Sequence, residues 1–84
     1  HIVTDGLPHA DCMSRAGRTL QAAGFVYYDT TSEAQWAVTQ DRAYMVAIYC
    51  LRTRDVAVLA ATGAEGSMTS SLVSRIAAQW PQTQ

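Results

Sequence analysis

The chain contains no lysine and no asparagine, and only one phenylalanine, two prolines and two cysteines among 84 residues. Several functions fall with these shortages. Without lysine there is no P-loop. A net charge of −1 supplies no long-range field for phosphates or anionic lipid. No apolar run approaches the roughly 18 residues needed to cross a bilayer. No charged n-region followed by a hydrophobic h-region opens the chain. Its first residue is His1, which fits a mature or trimmed form whose export signal has been removed. All six basic residues are arginine, and alanine is abundant. That bias reads as the codon usage of a GC-rich bacterial genome.

What remains suits a compact protein. An apolar fraction of 49% with 15% charged residues excludes a disordered tail. A chain of this length has room for one core, so residues 1–84 are read as a single domain. The even cysteine count fits a disulfide between Cys12, near the start of a predicted helix, and Cys50, in the longest predicted strand. Such a bond places the protein outside the reducing cytosol, in the periplasm or secreted.

Residues 1–7 hold a brief β-like pair, Ile2 and Val3, before an Asp5-Gly6 turn, and are expected to form a flexible arm. From Pro8 to Ala23 the period is helical, with Cys12, Met13, Ala16, Leu20 and Ala23 on one stripe. Gly24 supplies the left-handed stop. Asp11 precedes Arg15 by four residues, the spacing of a surface ion pair. Gly17, in the helix interior, costs stability unless something packs close to it. The period then changes to two, giving strands at Phe25–Tyr28, Gln35–Thr39, Ala43–Leu51 and Val56–Thr62. Met68, Leu72, Ile76 and Trp80 mark a second helix with Ser67 as its N-cap, ended by Pro81.

The order is therefore α-β-β-β-β-α. Short connections between strands predict an antiparallel meander of three to four strands with both helices on one face, an α+β two-layer sandwich. If Arg52 and Asp55 close the last hairpin, Ile48 pairs with Leu59 and Cys50 with Ala57. Val46, Ile48, Cys50, Ala57, Leu59 and Ala61 then share the face that the disulfide turns toward the core. The other face carries Met45, Ala47, Tyr49, Leu51, Val56, Val58 and Ala60. A solvated face alternates to polar residues, and this one does not. Three readings stand open for it. The N-terminal arm or Trp36 and its neighbours cover it; a second copy or another protein docks there; or it forms a ligand groove.

Chemistry-bearing clusters are sparse. His9, Asp11 and Cys12 are close in sequence, but a zinc site needs three or four ligands of compatible geometry and a disulfide removes the thiolate. Cys12 as a nucleophile requires a free thiol of lowered pKa, with His9 as its base. Gly63-Ala64-Glu65-Gly66-Ser67 joins strand to helix, yet matches no phosphate-binding fingerprint and carries an acidic residue. Gly-x-Ser-x-Gly is absent. No cofactor is implied, and no basic cluster points to nucleic acid.

Asp11-Cys12-Met13-Ser14-Arg15-Ala16, Leu20, Gly24-Phe25, Ala47-Ile48-Tyr49-Cys50 and Val56-Ala57-Val58 together resemble a pattern found in small exported proteobacterial proteins of unassigned function. The resemblance covers most of residues 10–80. It implies export, a disulfide and a two-layer α/β sandwich, and brings no active site with it. That pattern often has a glycine in the turn before the long strand, where this chain has Gln40-Asp41-Arg42, which leaves the register of Gln35–Thr39 open. The expected function is non-catalytic, through contact with another protein or in a homodimer. The alternative is a binding protein of the cell envelope for a small apolar or aromatic ligand, using Tyr44 or Tyr49 with Trp36.

Overall fold

The computed structural model describes residues 2–4, 6–52 and 56–83. Along the chain run β1 (Ile2–Thr4), α1 (His9–Ala22), β2 (Val26–Thr30), β3 (Ala34–Val38), β4 (Met45–Cys50), β5 (Val56–Thr62) and α2 (Gly66–Gln79), closed by a 3-10 turn at Trp80–Gln82. One antiparallel sheet has the order β1-β5-β4-β3-β2. The expected α+β layering holds, with two differences. The sheet has five strands rather than three or four, and the element order starts with a strand. Residues expected to lie in a flexible arm supply that strand, since Ile2, Val3 and Thr4 pair with Val58, Ala57 and Val56.

Helix α1 forms where the apolar stripe predicts it. Pro8 stands at its N-cap, and its carbonyl accepts from the Cys12 amide at 2.9 Å. Gly24 ends it at φ +93, its amide donating to the Gln21 carbonyl at 3.0 Å. The stripe faces the sheet, and Cys12, Ala16 and Leu20 join Val46, Ile48, Cys50, Ala57 and Leu59 in the core. Helix α2 adds Leu72 and Ile76 to that cluster, and the 3-10 turn after it adds Trp80. Its first turn corrects an expectation. The helix begins at Gly66, with Glu65 as N-cap and no side-chain capping bond, so Ser67 lies inside it.

Pairing between β4 and β5 follows the expected register, Ile48 with Leu59 and Cys50 with Ala57. The closing residues expected for this hairpin include 53–55, which lie outside the described residues. Cys12 and Cys50 form a disulfide that ties α1 to β4 with their Cα atoms 6.0 Å apart.

Arg15 does not pair with Asp11. It is 8% exposed, and its Nε and Nη2 donate to the Trp80 carbonyl at 3.2 and 2.7 Å. Its guanidinium lies 4.4 Å from the Trp80 ring centroid. A buried guanidinium needs acceptors close at hand, and the carboxyl end of α2 provides one with the favourable sign of dipole.

Between β3 and β4 the chain turns through Arg42 at φ +62, the conformation glycine adopts most readily. Thus the glycine-less turn keeps the glycine-like geometry, and the register beyond it is regular: Val38 pairs with Met45 and Ala34 with Tyr49. Asp41 braces the turn, accepting from the Thr39 hydroxyl at 2.6 Å and the Ala43 amide at 3.0 Å. Those two bonds, the Thr39 one first, hold its carboxyl below the ordinary carboxylate value. Its support of the turn is therefore complete above the ordinary carboxylate range and fades as pH falls through the lowered value.

Gly63 has a packing reason beyond breaking β5. A Cβ at this position would lie 2.0 Å from Cδ2 and 2.8 Å from Cγ of Tyr44. The ring occupies the space a side chain would fill, so a methyl group forces Tyr44 to change its χ1 angle. Gly63→Ala is expected to cost about 2–3 kcal/mol, as overpacking does. In a Tyr44→Ala background the same change should cost almost nothing, a coupling readable by denaturant titration of all four proteins. Equal costs in both backgrounds would disprove the clash.

Candidate interaction face

Both helices pack on the face of Val46, Ile48, Cys50, Ala57 and Leu59. Strand pairing fixes what the other face carries. Ala34, Trp36 and Val38 on β3 stand across from Tyr49, Ala47 and Met45 on β4, which stand in turn across from Val58, Ala60 and Thr62 on β5. None of these three central strands places a charged residue on this face. Among the described elements, no helix crosses it.

The structure brings the expected face residues Met45, Ala47, Tyr49, Val56 and Val58 together and adds three from β3 that the sequence had grouped only loosely. Leu51, half-buried, continues the line from β4, its amide donating to the Val56 carbonyl at 3.3 Å. Trp36 covers part of the surface from within. Its ring meets Tyr49 edge-on at 5.4 Å and 79°, a geometry that the ring quadrupoles favour. The alanines between these large side chains are shielded, with Ala47 2% exposed. Trp36, Met45, Tyr49, Val56, Val58 and Ala60 remain half-buried. The Trp36 indole N–H is buried without an acceptor among the described residues. An unpaired buried donor costs about 1–3 kcal/mol, which the packing of the ring against Tyr49 offsets in part.

The aromatic set expected to hold a ligand is divided between faces. Tyr44 packs against the helix-side core and Gly63, away from Trp36 and Tyr49. The hollow that remains between Trp36, Met45, Tyr49 and Ala60 has a volume of about 180 Å³. Sites for small molecules run from about 300 to 1,000 Å³. This surface is shaped for broad contact rather than enclosure.

Other candidate groups have been drawn into structural roles. Cys12 is oxidised, and His9 Nε2 donates to the Ser32 carbonyl at 2.9 Å. Among the described residues no three of His, Cys, Asp and Glu gather as metal ligands. The sequence reading missed a second concavity, beside α1 on the helix-covered side, lined by Gly17, Arg18, Phe25, Tyr27, Thr30 and Gln35 among others. Gly17 was its one visible sign, a helix-interior glycine without an apparent packing reason.

Among the described residues no helix is long and apolar enough to cross a membrane. The disulfide is consistent with an oxidising compartment. Comparison with protein-family models, with curated proteins and with solved structures finds no match to this chain.

Proposed function

We propose that this is an exported bacterial protein, periplasmic or secreted and akin to the small disulfide-bonded proteobacterial proteins it resembles, that acts without catalysis by self-association. The observation that carries the reading is the uncharged outer face of β3, β4 and β5, left open while both helices lie on the other side. A charged partner finds no complement there. A second copy does, because a two-fold pairing sets the same apolar patch against itself and satisfies both surfaces at once.

Size sets the expected strength. Strands about 4.8 Å apart and residues about 3.4 Å apart make a five-stranded face about 20 Å by 18 Å. A standard interface takes about 800 Å² from each partner. The flat footprint, about 360 Å², is less than half of that, so the association expected is weak, reversible and concentration-dependent.

Sedimentation across a micromolar-to-millimolar series is expected to show wild-type mass rising toward twice the monomer value. Tyr49→Glu places a carboxylate at the centre of the joint, where desolvating it is costly. That variant is expected to stay monomeric at every concentration while retaining a cooperative melt. A wild type that remains monomeric throughout, or a Tyr49→Glu protein that dimerises equally well, sinks the proposal.

A further inference from the structure

The second concavity lies between α1 and the inner side of the edge strand β2, on the opposite side of the sheet from the proposed dimer face. It arises from what α1 leaves uncovered. The disulfide holds α1 over β4, and the inward-facing side chains of β2 are left largely uncovered: Tyr27 pairs with Ala37 in register yet is 67% exposed. The resulting cleft measures about 590 Å³, within the range of small-molecule sites.

Its walls differ in character. Leu20, Phe25 and Ala37 supply an apolar floor and end, all buried and part of the core. Along the rim, a chain of hydrogen bonds fixes the polar groups. Gln35 Nε2 donates to the Met13 carbonyl at 3.2 Å, and Thr30 Oγ1 donates to Gln35 Oε1 at 2.6 Å. The one hydroxyl hydrogen of Thr30 is thereby committed, so in the 3.1 Å contact between Tyr27 and Thr30 the phenol is the donor. The Tyr27 oxygen keeps its lone pairs for an incoming donor. Arg18 is the single charged residue of the lining, and the described residues provide it with no ion pair. Arg75 adds positive charge beyond the Phe25 end, stacked 4.6 Å from that ring centroid. No carboxylate lines the cleft.

Gly17 lines the cleft from the middle of α1. Glycine inside a helix costs about 1 kcal/mol relative to alanine. Close packing does not demand it, because a Cβ here would meet Gln35 at 3.6 Å, an ordinary contact. What the missing side chain leaves is space on the α1 wall of the cleft, beside Gln35.

We propose that this cleft binds a small aromatic carboxylate, its ring on the Phe25–Ala37 floor, its anion on Arg18 and a hydroxyl or N–H donor directed at the Tyr27 oxygen. This site is separate from the dimer reading, since of its lining only Trp36 also belongs to the outer face and the contacts proposed do not use it. Two probes that share a phenol ring and differ in the sign of the tail charge test it, 4-hydroxyphenylacetate and tyramine. In a ¹⁵N-resolved NMR titration, 4-hydroxyphenylacetate is expected to give saturable shifts at Gly17, Thr30 and Ala37, with a Kd of about 1 mM, reasonable for a ligand of this size. Tyramine should bind at least tenfold more weakly. Arg18→Gln, an exposed substitution that spares the core, is expected to weaken 4-hydroxyphenylacetate about tenfold, the worth of one charge-assisted bond. Gly17→Leu should fill the cleft and abolish the shifts. Equal binding of the two probes, shifts confined to other surfaces, no saturation at all, or indifference to Arg18→Gln overturns the assignment.

Discussion

Replacing Cys12 and Cys50 together by alanine is expected to lower the stability of this protein by about 4 kcal/mol, the loop-closure entropy that a bridge across some 38 residues removes from the unfolded chain. Both sulfurs are buried, so small cavities left by the alanines add to the loss. For a chain of this size the change corresponds to a fall in Tm of about 15–30 °C. Domains of this class hold about 5–15 kcal/mol in all, so the bridge carries a large share of the total. Thermal melts with and without reductant, beside the double variant, measure the effect. Thiol counting on the denatured, unreduced protein should find none free and, after reduction, two. Two reactive thiols before reduction, or melts indifferent to reductant, would refute the expectation.

Arg15→Ala is the second substitution with a large expected effect, about 3 kcal/mol, or about 12–24 °C in Tm. Three contributions are lost together. They are two charge-assisted hydrogen bonds to the Trp80 carbonyl, the stacking of the guanidinium on the indole, and the packing of the aliphatic stem. Opposing them is relief from burying a cation that has no carboxylate partner among the described residues. Arg15→Met separates these effects. It keeps the stem and discards the charge, so it should cost about 1 kcal/mol, well under half of the alanine loss. A near-neutral Arg15→Ala in chemical denaturation would show that the contact between α1 and the end of α2 is incidental. Neighbouring Thr19, fully buried, donates to the Arg15 carbonyl at 2.8 Å and meets the Thr83 hydroxyl at 2.6 Å. The loss is therefore expected to spread to residues 80–83.

What could be read from the chain alone divides along physical lines. Features carried by local period were legible: the stripe of Cys12, Ala16 and Leu20, the spacing of Leu72, Ile76 and Trp80, and the Cys50–Ala57 register. The apolar second face was legible too, because failure to alternate is itself a local pattern, whereas whether anything covers it was not. Features that depend on distant partners were not. Ile2 to Thr4 look like a frayed end until Val56 to Val58 pair with them. Arg15 looks like half of a helical ion pair until the Trp80 carbonyl, 65 residues away, claims it. Tyr44 is an instructive miss. Its even number places it with Val46, Ile48 and Cys50 on the core side, so parity already separated it from Tyr49. The cleft left almost no local signal, since it is defined by where α1 stops covering β2 rather than by any contiguous residues.

The irregularity in β2 has one more consequence. Pairing with β3 shifts register between Tyr27 and Asp29, leaving Tyr28 as an extra residue on the outermost strand. A bulged border is a poor docking rail for another chain's backbone, and the opposite border, β1, is only three residues long. Its outermost strands are thus poor templates for the lateral polymerisation that turns small sheet proteins into fibrils.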